Sequence, residues 1–194
     1  MTSKRLYQTI RLWLTPSSAK RTKYIKNNHI FAEIGNNCSI MDRKVPLYAN
    51  LIKIGNNVHI ASKVDFITHD ITHVMLNGLH KNGGVTIQEK IDCIEICDNV
   101  FIGSNTTVLA GVRIGKNVVI GAGSLVNKDI PDNSVAAGVP VKVIGTFDRF
   151  FDKRMNEEKY PKGMKPHIGR EVPDDLAEWL WNRFYTRRKD REKA

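Results

Sequence analysis

The chain has 194 residues, 41% hydrophobic and 8% aromatic, enough apolar material for one core of ordinary size and not for two. With 26% charged residues and apolar runs that break within a handful of positions, neither wholesale disorder nor a membrane span fits. The net charge of +10 sits at the ends: residues 1–26 hold seven Lys/Arg and no acid, residues 27–148 ten bases and eleven acids, residues 149–194 thirteen bases and nine acids. A basic end suits an anionic membrane surface, another polyanion or plain solvation, and the absence of any nucleic-acid module motif argues against nucleic acid as partner.

Leu6, Ile10, Trp13 and Leu14 fall on one helical face before Pro16, and the basic segment SSAKRTKYIKNN follows. The spacing predicts a short amphipathic helix that docks on and caps the first part of the fold, with peripheral membrane association as the alternative. Three cysteines, Cys38, Cys93 and Cys97, form an odd set with no secretory signal before them, which fits small buried thiols in a reducing cytoplasm and no metal site.

From Ile96 to Pro131 the chain reads ICDNVF, IGSNTT, VLAGVR, IGKNVV, IGAGSL, VNKDIP. An aliphatic residue recurs every six positions (Ile96, Ile102, Val108, Ile114, Ile120, Val126), and four residues after each stands Val100, Thr106, Val112, Val118, Ser124 or Ile130. Two inward positions per hexad is a strand-and-turn rhythm, not the 3.6 period of a helix. The same register appears at Ile54, Ile60 and Phe66 with Val58 and Val64, and in IGNNCS from Ile34. Three hexads make one turn of a triangular coil that hides its neighbour's apolar face, and the Gly and Asn of the turns are expected to supply left-handed or open backbone.

Between Phe66 and Ile94 the rhythm stops for ITHDITHVMLNGLHKNGGVTIQEKIDC, a polar stretch with three of the six histidines. A stacked repeat gains nothing by interrupting itself, so this loop is where chemistry is expected. After Gly145 the hexads end, Phe147, Phe150 and Phe151 look like an anchoring cluster, and Pro173-Asp174-Asp175 opens a helix with Leu176, Trp179, Leu180 and Phe184 on one face.

These hexads, and above all IGAGSLVNKDIPDNSVAAGVPVKVIG, resemble the hexapeptide-repeat acyltransferases of the galactoside, maltose and polysaccharide O-acetyltransferase group. The resemblance implies an all-β, left-handed parallel β-helix over residues 31–145, with the loop 67–93 inserted, an N-terminal helical and basic cap over 1–30 and a C-terminal helical extension over 146–194. Cys97 stands where the family usually has Gly, so a locally altered turn is expected there.

FITHD and LHKNGG resemble the family's catalytic loop. On that match His69 is the general base that deprotonates a sugar hydroxyl as it attacks the thioester of acetyl-CoA, a task suited to an imidazole, whose free pKa lies near 6.5. The resemblance further implies acceptor contacts from Asn50 (in Tyr48-Ala49-Asn50), Asp70, His73 and His80. Donor contacts would come from Ser104, Ala122, Asn127, Lys128 and Lys142, in a homotrimer with its sites between chains. An N-acetyltransferase acting on an amino sugar, an antibiotic acetyltransferase, a zinc anhydrase using His69, His73 and His80, and a non-catalytic scaffold stay as alternative readings.

Overall fold

The computed structural model describes residues 2–79, 81, 83–166 and 171–192. Among them, three columns of short parallel strands build a solenoid with three faces. The first face stacks Glu33–Ile34, Ile52–Ile54, Ile94–Ile96 and Arg113–Ile114. The second stacks Asp65–Ile67, Thr107–Leu109 and Leu125–Val126, and the third Ser39–Ile40, Val58–Ile60, Val100–Ile102, Val118–Ile120 and Ser134–Ala137.

Register gives the coil its length. Ile96 pairs with Ile114, Ile102 with Ile120 and Val108 with Val126, each eighteen residues on, or three hexads per turn. Ile54 with Ile96 and Phe66 with Val108 are forty-two apart, the same coil lengthened by twenty-four residues. Burial follows the hexad: Ile52, Ile54, Val58, Ile60, Ile94, Ile96, Val100 and Ile102 are at most 1% exposed, while Lys53, His59, Glu95 and Phe101 between them point outward. The second inward set is buried too, including the polar Thr106 and Ser124, whose hydroxyls donate to the Gly121 carbonyl at 3.3 and 2.6 Å. Each buried aliphatic side chain contributes on the order of 1.5–3 kcal/mol, so the stacked columns are the main source of stability.

The turns divide their work differently from the expectation. In the turns that lead from the first face to the third, the left-handed backbone belongs to asparagine: Asn37, Asn57, Asn99, Asn117 and Asn133 have φ between 54° and 59°. Gly35, Gly55 and Gly115 lie outside that region and are needed for space instead; a Cβ on Gly55 would sit 2.8 Å from the Cys97 carbonyl carbon in the next coil. The five asparagines form a ladder, each amide nitrogen donating to the amide oxygen one coil on: Asn37 to Asn57 (2.7 Å), Asn57 to Asn99 (3.0 Å), Asn99 to Asn117 (2.9 Å) and Asn117 to Asn133 (2.8 Å). Contrary to expectation, Cys97 does not alter its turn. Asn99 keeps φ 59°, the ladder passes through it, and the Cys97 N–H donates to the Ile114 carbonyl at 2.9 Å as Gly55 N–H does to Ile96 at 2.8 Å. Over Gly55 and Gly115 the Asp98 and Asp132 carboxylates of the next coil fold in to accept from Asn56 and Lys116 N–H, whereas the corresponding residue over Cys97 is Lys116.

The N-terminal segment forms two helices, α1 (Ser3–Trp13) and α2 (Ser18–Asn27), capped by the hydroxyls of Thr2 and Ser17. The basic stretch is therefore largely helical: Thr22 and Ile25 of α2 are buried, and the Thr22 hydroxyl accepts from the Ile40 N–H at 2.9 Å. Docking of α1 uses a different face from the one read in the sequence. Leu12 is 1% exposed and the Arg5 guanidinium donates to the Val45 carbonyl at 2.9 Å, while Leu6, Ile10, Trp13 and Leu14 remain exposed.

A short helix α3 (Thr72–Gly78) lies in the interruption, and the third face ends with an antiparallel strand, Lys142–Thr146, paired to Ser134–Ala137. A fourth helix, α4 (Phe147–Met155), follows; Phe150 and Phe151 are exposed on it, so the aromatic cluster does not anchor, although Phe147 and Phe151 stack at 6.4 Å. Residues from Lys153 onward form a separate compact unit around α5 (Asp174–Glu192), in which Leu176 is buried, Tyr160 meets Trp179 edge-on, and Glu158 pairs with Arg183 and Arg187. Helices account for more of the described chain than the short strands do, so the all-β description applies to the solenoid alone.

Candidate active site

The interruption leaves the solenoid just after Asp65–Ile67. Thr68 is fully buried there, and its hydroxyl donates to the Leu47 carbonyl at 2.7 Å, which fixes the direction in which the next residue emerges. His69 and Asp70 then pair antiparallel with Ile91 and Lys90, so the inserted segment folds back on itself at its base. Farther out, the Asn77 side chain clamps Ile87, donating to its carbonyl at 2.8 Å and accepting from its N–H at 3.0 Å. These contacts give a long connection its own structure. Thr68→Val keeps the shape but leaves the Leu47 carbonyl without its donor, and is expected to lower stability by about 1–3 kcal/mol in urea unfolding.

His69 is half-buried. The ring of Tyr48 meets it edge-on, with centroids 5.5 Å apart and planes at 87°. Tyr48 itself has φ 50°, a left-handed conformation unusual for a bulky residue, and its hydroxyl donates to Glu89 Oε2 at 3.1 Å. That carboxylate pushes the tyrosine hydroxyl's pKa above its ordinary value. The ring is thus held between one segment before the interruption and another at its end. The Nδ1 atoms of His69 and His73 are buried with no hydrogen-bond partner among the described residues. Asp70 accepts from the Thr72 N–H at 2.7 Å, and Thr72's side-chain and backbone donors hold its carboxyl below the ordinary range.

Beside His69 lies an open cavity of about 150 Å³, lined by Ile67, Asp70, Lys90, Leu109 and Ala110. A second of about 80 Å³ is shared with Arg5, Asp42 and Lys44, and burial raises the Asp42 carboxyl's pKa. The most voluminous cavity among those described, about 690 Å³, is in the C-terminal unit between Leu180, Trp181, Phe184 and Arg187. Its lining of aromatic, aliphatic and arginine side chains offers no group suited to taking a proton at neutral pH, whereas the smaller cavity has His69 in its wall.

The remaining residues singled out in the sequence separate into two columns along the edges of the second face. Asn127 and Lys128 directly follow Leu125–Val126, at the same end of the face from which Thr68 and His69 leave Asp65–Ile67 and Ala110 leaves Thr107–Leu109. Ser104 and Ala122 lie at the opposite end, where neighbouring coils touch: the Ser104 carbonyl accepts from Gly123 N–H at 2.8 Å, and a Cβ on Gly103 would fall 2.7 Å from the Ala122 Cα. Lys142 continues this second column through its pairing with Ala137, whose Cβ lies 2.8 Å from a Cβ built on Gly121. Six residues separate Ser104 from Ala110, so within one chain the columns are at most about 20 Å apart across the face. Asn50 is exposed in the turn Ala49–Leu51, two residues past Tyr48. His80 lies outside the described residues.

The repeats match the family described as bacterial transferase hexapeptide (six repeats) over residues 94–128. A Staphylococcus aureus (strain Mu50 / ATCC 700699) protein that carries an acetyltransferase name is 43% identical over 151 residues, 69% of this chain and 73% of that one. The chain belongs to the hexapeptide-repeat acetyltransferase family. The galactoside O-acetyltransferase of Lactococcus lactis subsp. lactis (strain IL1403) is 39% identical over 138 residues, 59% of this chain. This chain spans 62% of that protein's length and 43% of the Escherichia coli (strain K12) one. Among solved structures, a galactoside acetyltransferase in complex with coenzyme A aligns with a TM-score of 0.52 at 32% identity, covering 84% of this chain and 88% of that one. Membership implies the left-handed sense for the coil described above.

Sequence reasoning missed two features of this hexapeptide-repeat site. Tyr48 was legible only as a neighbour of Asn50; that it reaches His69, twenty-one positions away, depends on one coil stacking on the next. The Asn77–Ile87 clamp has no sequence signature beyond an Asn before a Gly.

Proposed function

We propose that this protein is an acetyl-CoA-dependent O-acetyltransferase with residues 31–145 as its catalytic unit and His69 as general base, acting on a saccharide hydroxyl such as that of a surface-polysaccharide precursor. The observation that carries the reading is His69 itself: a half-buried imidazole held by Tyr48 and the buried Thr68 at the edge of an open cavity. Relatives named galactoside O-acetyltransferase, and a galactoside acetyltransferase whose structure contains coenzyme A, support the choice of donor and acceptor class.

Bound acetyl-CoA supplies the thioester. The chain's part is to accept the acceptor's hydroxyl proton on His69 as the new C–O bond forms, and to return that proton to the departing sulfur as the C–S bond breaks. Charge balances without a nucleophilic side chain. Asp70, His73, His80 and Asn50 are the candidate acceptor contacts, with hydrogen-bonding groups that suit sugar hydroxyls. Ser104 and Ala122 would line the pantetheine arm, while Asn127, Lys128 and Lys142 would meet the polar part of the coenzyme. The separation of the two columns favours a site completed by a neighbouring chain, because an arm lying along Ser104 and Ala122 must otherwise cross a whole face to reach His69 of its own chain. A homotrimer supplies that geometry by cyclic closure. Among the described residues no helix is long and apolar enough to cross a membrane, and the three free thiols suit a cytoplasmic enzyme.

A ligand that binds only the folded state raises its melting temperature. Titrating acetyl-CoA against the purified protein, with zinc measured on the same sample, is expected to give a concentration-dependent rise and no stoichiometric metal. No rise at millimolar coenzyme would remove the donor and with it the proposed reaction.

A further inference from the structure

The docked face and the apolar face of α1 are different faces. At 3.6 residues per turn, Leu12 and Arg5, which fasten the helix to the rest of the unit, lie on one side. Trp13, Leu6, Ile10, Leu14 and Tyr7 fill a continuous arc on the other. That arc is unpartnered: Tyr7 is 64%, Trp13 62% and Leu14 73% exposed. What does approach it is a cation, the Arg43 guanidinium 5.6 Å from the Trp13 ring centroid. Lys4 and Arg11 border the arc on α1, and Lys20 and Lys23 are exposed on α2. Residues 1–26 contain no acid to offset them.

A firmly docked helix with an outward apolar stripe that has bases and no acid on its border fits an anionic bilayer surface: aromatic and aliphatic side chains enter the headgroup boundary while the bases meet lipid phosphates. At 11 residues α1 lies on a membrane and does not span one. A second copy of this chain is a poorer occupant. A two-fold contact through the stripe would oppose the same uncompensated bases, and residues 27–148, with ten bases and eleven acids, offer no strongly acidic counterpart. We propose that the outward face of α1 docks this protein on anionic membranes, bringing the solenoid to acceptors held at that surface. The proposal does not depend on acetyl transfer, and its failure would leave that reading intact.

The test is co-sedimentation of the full chain with vesicles of phosphatidylcholine alone or mixed with phosphatidylglycerol, at low and raised salt. The wild type is expected to bind the anionic vesicles, to release them as salt rises, and to ignore the neutral ones. Ile10→Asp combined with Trp13→Asp, and separately Lys20→Glu combined with Lys23→Glu, are each expected to weaken binding by at least about tenfold. Because all four side chains are exposed, the melting temperature and its response to acetyl-CoA should be unchanged. Failure of the wild type to bind anionic vesicles, or undiminished binding by the Ile10/Trp13 variant, overturns the proposal. So does a lipid-free change in oligomeric state caused by that variant, which assigns the stripe to a second copy.

Discussion

Replacing His69 with alanine is expected to lower acetyl transfer by roughly 10²- to 10⁴-fold while leaving the acetyl-CoA-induced rise in melting temperature intact. The two readouts separate because the imidazole and the second column do different work. Ser104, Ala122 and Lys142 run along one edge of the second face, His69 stands at the other, and the histidine is half-buried, outside the stacked core. Steady-state rates with a series of sugar acceptors, beside thermal shifts on the same preparations, make the comparison. Equal loss of transfer and of the thermal shift would point to a ring that organises the coenzyme site instead of moving a proton. Transfer within a few-fold of wild type would remove His69 as the base.

The asparagine ladder should show its value at Asn99, an inner rung bonded on both sides. Asn99→Ala loses two amide hydrogen bonds and leaves at φ 59° a residue that tolerates the left-handed backbone less well than asparagine does, for an expected loss of about 2–4 kcal/mol. Asn99→Gly loses the same bonds without the backbone strain, so it should fall about 1 kcal/mol or more short of the alanine variant's destabilisation, less what glycine's larger unfolded-state entropy takes back. Denaturant midpoints for the three proteins give both differences. If alanine and glycine destabilise equally, the conformational part of the argument fails; if neither does so measurably, the rungs are ornaments on a fold held by its isoleucines.

Much of the solenoid was readable because a hexad leaves a mark that survives in one dimension. Ile96, Ile102, Ile114 and Ile120 had to recur, and the pairings eighteen residues apart follow from nothing else. The division of labour between Gly and Asn was not readable, since a glycine needed for the closeness of the next coil and one needed for its own φ look alike in a sequence. The docking face of α1 was misread for a related reason. Its apolar residues outnumber the one that is buried, and periodicity reports that a helix is two-sided without saying which side meets the protein. At the site, FITHD singled out His69, but the edge-on Tyr48 and the separation of Ser104 from His69 are properties of stacking.

The antiparallel strand Lys142–Thr146 has a consequence for the life of the protein at high concentration. A coil of parallel hexads ends in a row of unpaired backbone groups in the same register that stacked every coil before it, and a second molecule's first coil would fit that row as well as its own next coil does. By running the other way, with a register shift between Val135 and Ala136, the final strand breaks the register that every parallel hexad before it shares. At the opposite end α2 packs beside Ser39–Ile40, with its Thr22 hydroxyl taking the Ile40 N–H. The third face of a repeat with no intrinsic length is thereby covered at both ends, which works against end-to-end stacking of one molecule on another.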